Sequence, residues 1–117
     1  MKTVLIVDDS SVMRRIMKNI VTKNGYDAVG EAKNGKIGVE KYKDLRPDIV
    51  TMDFIMDEMS GLEALSNIID FDPNAKVIMV SSMGQEVIVR DAIILGAKDF
   101  LLKPFTEEQV IKAFEKL

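Results

Sequence analysis

The sequence predicts an α/β fold in which a five-stranded parallel sheet is covered by five helices. Short apolar segments alternate with longer amphipathic segments along the whole chain. Three of the short segments are almost entirely apolar, as parallel strands that are buried on both faces usually are. The chain has 117 residues, of which 47% are hydrophobic, which suits one domain with one core. Five βα units require right-handed crossovers, which place helices on both faces of the sheet.

Five short segments are predicted as strands and five longer ones as helices. The predicted strands are Thr3–Val7, Ala28–Glu31, Ile49–Met52, Val77–Val80 and Asp99–Leu102. The predicted helices run from Ser10-Ser11 to Gly25 and over Lys36–Leu45, Gly61–Phe71, Glu86–Leu95 and Thr106–Leu117. In the first helix, apolar residues recur at helical spacing from Val12 to Val21. In the last helix, Thr106 and Gln109 have the spacing of a capping box.

The composition excludes several classes of function. A net charge of −3 does not provide the excess of Lys and Arg that a general affinity for nucleic acid requires. The chain has no Cys for a disulfide and no His, which excludes Ser-His-Asp catalysis and His-ligated zinc. The apolar segment Thr3–Val7 is too short for a signal sequence or a membrane span. We therefore expect a cytoplasmic protein with no nucleic-acid or membrane partner.

Polar side chains follow four of the five predicted strands. Asp8 and Asp9 follow the first strand, Asp53 the third, Ser81 the fourth and Lys103 the fifth. Ligands of parallel sheets bind beyond the carboxyl ends of the strands, so three acids, a hydroxyl and a lysine are expected to meet there. Neighbouring carboxylates repel one another unless a cation lies among them, and Mg²⁺ or Mn²⁺ prefers oxygen ligands. The sequence therefore predicts a metal site that can bind a phosphoryl group.

Asp53 is the predicted nucleophile at this edge of the sheet. It stands alone at the end of the central strand, whereas Asp8 and Asp9 are better placed to hold the metal. Lys103 can neutralise a phosphoryl oxygen, and the Ser81 hydroxyl can donate to another. Because the chain has no His, the expected product is an aspartyl phosphate.

The chain resembles the receiver domain of response regulators, and most of all its single-domain chemotaxis members. The motifs that carry the resemblance are VLIVDDSSVMRRIM, DIVTMD, MSG, VSSMG and GAKDFLLKPF. They occur in order and cover essentially the whole chain. The resemblance implies one receiver domain over residues 1–117, with a doubly wound, flavodoxin-like sheet in the strand order 2-1-3-4-5. It also implies that a histidine kinase of the chemotaxis type phosphorylates Asp53.

The resemblance further implies the metal ligands and the switch. Asp9 and Asp53 are expected to bind Mg²⁺ directly, Asp8 through water, and Ile55 through its backbone carbonyl. Ser81 and Lys103 are expected to sense the phosphoryl group. On its residue type alone, Ser81 could equally cap the next helix or begin the loop before it. Phe100 is expected to turn inward as Ser81 moves. We also expect the peptide bond before Pro104 to be cis.

The resemblance implies a signalling phosphoacceptor that catalyses only its own phosphorylation and dephosphorylation. The expected partners are the kinase, a phosphatase, and a motor switch or adaptor protein that binds the surface formed by residues 86–117. A monomer is expected. Two other functions stay open at this point: a phosphorelay shuttle that passes the phosphate to a histidine phosphotransferase, and an Asp-dependent phosphatase. The phosphatase is disfavoured because the short chain shows no second general acid and no substrate cap.

Five residues that follow the third and fourth predicted strands carry open questions. Asp57 stands where the family usually has Pro, and is either a tolerated loop exchange or a fourth carboxylate that strengthens cation binding. Ile55 and Met83 flank the entrance to the site, where bulky side chains would hinder an attacking water. Met56, Met59 and Met83 are the expected surface exceptions among methionines that otherwise fill the core.

Overall fold

The computed structural model describes residues 1–56 and 59–117, in which five strands alternate with five helices. The strands are β1 (Thr3–Val7), β2 (Asp27–Ala32), β3 (Ile49–Asp53), β4 (Val77–Ser81) and β5 (Asp99–Leu102). The helices are α1 (Ser11–Lys23), α2 (Gly35–Leu45), α3 (Gly61–Phe71), α4 (Glu86–Ile94) and α5 (Glu107–Glu115). All paired strands are parallel and lie in the order β2-β1-β3-β4-β5, so the predicted fold class is confirmed. None of the described helices combines the length and the apolar character that a membrane crossing needs.

Strands β3 and β4 each extend one residue beyond the predicted end, and both added residues belong to the candidate site. Asp53 pairs with Val80, and Ser81 pairs with Leu102, so a neighbouring strand holds each of them. Both residues are polar, which is why a pattern of apolar residues stopped one position early. These two site residues therefore lie within the sheet and not in the loops that follow it.

Alternate side chains of β1 enter two cores, one on each face of the sheet. Leu5 and Val7 pack with residues of α2, α3 and α4, whereas Val4 and Ile6 pack with residues of α1 and α5. All four side chains are buried, and burying an aliphatic side chain of this size contributes about 1.5–3 kcal/mol. Helices on both sides therefore hold the end of β1 in place, just before Asp8.

Two local predictions are confirmed. The capping box at the start of α5 is present: the Gln109 N–H donates to the Thr106 hydroxyl at 3.1 Å, and the Gln109 side chain accepts from the Thr106 N–H at 2.9 Å. The bond between Lys103 and Pro104 is cis. The capping box fixes the start of α5, and Lys103 lies between β5 and this helix.

The apolar residues of α1 do not form one buried stripe. Met17 and Val21 are buried in the second core, but Val12 and Ile16 are exposed. Residues 12 and 16 lie one turn apart, on the helix face next to the face that carries Met17 and Val21. The apolar residues of α1 therefore cover more of the helix surface than one face can bury. The spacing of the apolar residues therefore predicted α1 correctly, but it did not show which of these residues are buried.

The prediction that Met56 lies at the surface is wrong. Met56 is buried and belongs to the first core, whereas Met59 and Met83 are half-buried. The chain after β3 stays close to the sheet, because the Phe54 N–H donates to the Val80 carbonyl at 2.9 Å. The Met56 side chain, two residues further along the chain, enters the first core, which the residue pattern could not show.

Backbone contacts hold both ends of the segment between β3 and α3 next to Asp53. The Gly61 N–H donates to the Phe54 carbonyl at 2.8 Å. A Cβ atom on Gly61 would lie 2.1 Å from the Asp53 carbonyl oxygen and 2.8 Å from the Phe54 Cα, and both are backbone atoms. Only glycine leaves room for this approach. The start of α3 therefore packs directly on the peptide group of Asp53.

We expect Gly61→Ala to lower the free energy of unfolding by about 1–3 kcal/mol, because the added methyl group must push backbone atoms apart. Urea denaturation measures this change. Gly30→Ala is the matched control, since its Cβ would meet the end of the Leu45 side chain at 2.8 Å, which can rotate away. Equal losses for the two variants would contradict the close approach at Gly61.

Candidate functional site

Three carboxylates meet at the carboxyl end of the sheet. Asp8 and Asp9 directly follow β1, and Asp53 is the last residue of β3, the neighbouring strand. One oxygen atom from each of the three lies within 4.8 Å of the other two. Asp8 and Asp53 are buried, and Asp9 is exposed. The cluster predicted from the strand ends is therefore formed, with its open side at Asp9.

Lys103 joins the two buried carboxylates. Its Nζ lies 3.0 Å from Oδ2 of Asp8 and 3.2 Å from Oδ1 of Asp53. The backbone of Lys103 is held as well, since its N–H donates to the Ser81 carbonyl at 2.8 Å. Strand β5 lies two positions away from β3 in the sheet, so the long lysine side chain is needed to reach the acids.

The charges at the site are not balanced within the described residues. Burial raises the pKa of Asp53 to about 6, the negative charge of Asp8 raises it as well, and Lys103 only partly opposes these effects. Burial also lowers the pKa of Lys103, but its hydrogen bond to Asp8 and the charges of Asp53 and Asp8 outweigh this, so the net pKa is raised. One ammonium group therefore faces three carboxylates, and the site retains negative charge.

Asp8 has several backbone and side-chain partners, two of which the residue pattern did not reveal. The Ser10 N–H donates to Oδ1 of Asp8 at 2.9 Å. The guanidinium group of Arg14 donates to the Asp8 carbonyl at 2.6 Å and to the Glu31 carboxylate at 3.2 Å. An Arg one turn into the helix that follows an acidic strand end would have been a usable signal for this contact.

Ser81 is buried at the end of β4, but its hydroxyl does not contact the acids. The hydroxyl accepts from the Met83 N–H at 3.0 Å, which is the loop contact that its residue type also allowed. Among the described residues, no hydrogen bond joins the Ser81 hydroxyl to Asp53 or to Nζ of Lys103. The sheet therefore places Ser81 next to the site without directing its hydroxyl into it.

The structure describes three of the four other predicted site residues. Ile55 is 55% exposed and Met83 is half-buried. Phe100 is half-buried, pairs with Met79 of β4, and packs against the first core. Asp57 lies outside the described residues, so its two interpretations stay predictions. A Mg²⁺ titration of Asp57→Pro separates the interpretations.

Comparison with known proteins identifies the family. Residues 4–115 match the model of the response regulator receiver domain. The chain belongs to this family. A curated relative, the chemotaxis protein CheY of Thermotoga maritima, is 54% identical over 116 residues, which are 99% of this chain and 97% of the relative. CheY of Bacillus subtilis is 51% identical over 113 residues, which are 97% and 94% of the two chains.

A solved structure agrees with the receiver family in both fold and sequence. In the crystal structure of the CheX-CheY-BeF3-Mg complex from Borrelia burgdorferi, one chain is 41% identical and has a TM-score of 0.96. The match covers 98% of this chain and 87% of that chain. The resemblance seen in the motifs is therefore confirmed. The receiver domain is CheY-like, and its relatives support a function in phosphorylation-dependent chemotaxis signalling.

The raised pKa of Asp53 predicts a specific pH dependence of stability. Between about pH 4 and pH 6 the folded protein keeps a proton on Asp53 that the unfolded chain releases, so stability falls as the pH rises through this range. Asp53→Asn, which mimics the protonated form, should match the wild type near pH 4. At pH 8 it should be more stable by on the order of 3 kcal/mol.

Urea denaturation without divalent cations, repeated from pH 4 to pH 8, measures this difference. The exposed residue Asp70 supplies the control variant Asp70→Asn, which makes the same chemical change outside the site. A stability gain for Asp53→Asn that is the same at every pH would contradict the prediction.

Proposed function

We propose that the chain is a chemotaxis messenger that takes a phosphoryl group from a histidine kinase onto Asp53. The observation that carries this proposal is the meeting of three carboxylates and Lys103 at one edge of the sheet. The CheY relatives support the chemotaxis context. We further propose that residues 1–117 form a single receiver domain that acts in the cytoplasm as a monomer.

The donor set fits a hard divalent cation. Carboxylate oxygens are the protein ligands that Mg²⁺ and Mn²⁺ prefer, and three of them lie within 4.8 Å of one another. Lys103 leaves negative charge uncompensated, which a divalent cation would offset. We assign the cation to Asp8, Asp9, Asp53 and the carbonyl of Ile55. When bound, it would supply positive charge for the phosphoryl oxygens.

Asp53 would act as the nucleophile. One of its carboxylate oxygens forms a bond to the phosphorus, the bond from phosphorus to the kinase imidazole nitrogen breaks, and that nitrogen keeps the electron pair. With a pKa of about 6, Asp53 is mostly ionised at neutral pH and can attack. Nζ of Lys103, 3.2 Å from Oδ1 of Asp53, lies where it can pair with the new phosphoryl group. The protein then catalyses only its own phosphorylation and its own dephosphorylation.

The switch would start at Ser81. Its hydroxyl accepts from the Met83 N–H and can exchange this contact for one to the phosphoryl group, since it lies on the strand beside Asp53. Leu102 pairs with Ser81, and Phe100 pairs with Met79, so β5 is connected to any movement of β4. We propose that Phe100, which is half-buried against the first core, turns further inward when Ser81 moves.

The output surface would lie on α4, β5 and α5. Val87 is 56% exposed and Ile94 is 73% exposed, more apolar surface than a helix with one buried face needs. A groove of about 510 Å³ runs along β5 and α5 and includes Phe100, Leu102 and Lys112. We propose that a motor switch or adaptor protein binds this surface of residues 86–117, and that a phosphatase also acts on the phosphorylated chain.

Incubation with acetyl phosphate and Mg²⁺ should add one phosphoryl group to the wild type, and intact-protein mass spectrometry measures it. Asp53→Asn should add none, because an amide is not a nucleophile of this kind. Lys103→Gln should react at least about 10-fold more slowly, since it removes the cation beside the reacting oxygen. Asp70→Asn serves as the control and should react like the wild type. A phosphorylated Asp53→Asn would overturn the assignment of Asp53.

Phosphorylated protein labelled with ³²P should distinguish a messenger from a relay shuttle. We expect a motor switch protein to bind the phosphorylated form, and Ile94→Asp to weaken this binding without changing phosphorylation, because Ile94 lies away from the acids. We expect no return of the label to the histidine of a phosphotransferase. Rapid transfer of the label to such a histidine would instead establish the relay function.

A further inference from the structure

We propose that Arg14 is a positioning residue for the carboxylates of the metal site; this inference rests on the proposed function of that site. Arg14 lies in α1, and its side chain is only 18% exposed. Nη1 of Arg14 donates to the Asp8 carbonyl oxygen at 2.6 Å, and Nε donates to Oε1 of Glu31 at 3.2 Å. The guanidinium group therefore joins the end of β1 to the neighbouring strand β2.

The contact with the Asp8 carbonyl acts on Asp9. The peptide group is planar, so the carbonyl of Asp8 and the N–H of Asp9 share one rigid unit. When Arg14 fixes the direction of that carbonyl, it also fixes the orientation of the peptide plane, which contains the Cα atom of Asp9. A rotation of this plane would move the Asp9 carboxylate away from the other two acids.

Asp9 needs such an indirect restraint more than the other two acids do. The carboxylate of Asp8 accepts hydrogen bonds from the Ser10 N–H and from Lys103, and that of Asp53 accepts one from Lys103. Within residues 1–56 and 59–117, no hydrogen bond or ion pair reaches the Asp9 carboxylate. The contacts of the described residues therefore restrain Asp9 through its backbone and not through its carboxylate.

Glu31 holds the guanidinium group in place. It pairs with Ile6 in the ladder between β1 and β2, and its own carbonyl accepts a hydrogen bond from Lys41. The guanidinium group is a planar fork that can donate to Glu31 and to the Asp8 carbonyl at the same time. A lysine in place of Arg14 would keep the charge, but its single ammonium group would not reproduce this two-sided contact.

Neutralising Arg14 should change Mg²⁺ affinity in opposite directions, depending on whether Arg14 acts by positioning Asp9 or only through its charge. Arg14 carries a positive charge near a site for a cation, so charge alone predicts that neutralising Arg14 strengthens Mg²⁺ binding. Loss of positioning predicts the opposite, because Asp9 would no longer be held beside the other two acids. Residues that orient metal ligands typically contribute about 10-fold or more to metal affinity.

Isothermal titration with Mg²⁺, on the full chain at neutral pH, tests the proposal. Arg14→Gln should raise the dissociation constant about 10-fold, and Arg14→Lys should raise it as well. Lys18→Gln is the matched control: Lys18 lies 3.8 Å from Oε2 of Glu31 but does not contact Asp8. This control should bind Mg²⁺ as tightly as the wild type or slightly more tightly.

Nitrogen-15 relaxation on the metal-free protein gives a second measurement. The order parameter of the Asp9 amide should fall in Arg14→Gln and stay unchanged in Lys18→Gln. Unchanged or tighter Mg²⁺ binding by a folded Arg14→Gln would overturn the proposal. If Arg14→Gln does not fold, an unchanged dissociation constant in Arg14→Lys would overturn it. A wild-type chain that binds no Mg²⁺ would instead overturn the proposed function, and the inference with it.

Discussion

Repulsion among carboxylates at the end of the sheet is the constraint on which the rest of the site depends. Asp8 and Asp53 are buried side by side because β1 and β3 are neighbours, and Lys103 is the described cation that contacts both. Burial and the charge of Asp8 still hold the pKa of Asp53 well above its usual value. The folded protein therefore keeps an unfavourable charge arrangement, and the two cores on either side of the sheet must supply the stability that this arrangement removes.

Most of the fold could be predicted because it follows from local patterns. Apolar runs in β1, β3 and β4 indicate buried parallel strands, and the caps and glycines between them indicate where helices begin and end. The meeting of Asp8, Asp9 and Asp53 could also be predicted, since the carboxyl ends of parallel strands share one edge. Both inferences need only the order of the elements and no knowledge of side-chain packing.

The features that were missed depend on contacts between distant parts of the chain. Met56 is buried because it packs with core residues from distant parts of the chain, and no local residue pattern encodes that packing. Val12 is exposed because the buried face of α1 is narrower than its apolar stripe. Arg14 reaches across the end of β1 to Glu31 on β2, a pairing that depends on the strand order. Tertiary structure decided each of these cases.

The fixed ends of the segment between β3 and α3 affect which sequence changes the protein can tolerate during evolution. Hydrogen bonds fix Phe54 to β4 and Gly61 to Phe54, so the two ends of residues 55–60 already meet. Once the ends of a loop are fixed, doubling its length costs only about 0.6 kcal/mol. Changes of exposed side chains in this segment, such as that of Ile55, can therefore accumulate during evolution and alter the surroundings of Asp53 while its position in the sheet is retained.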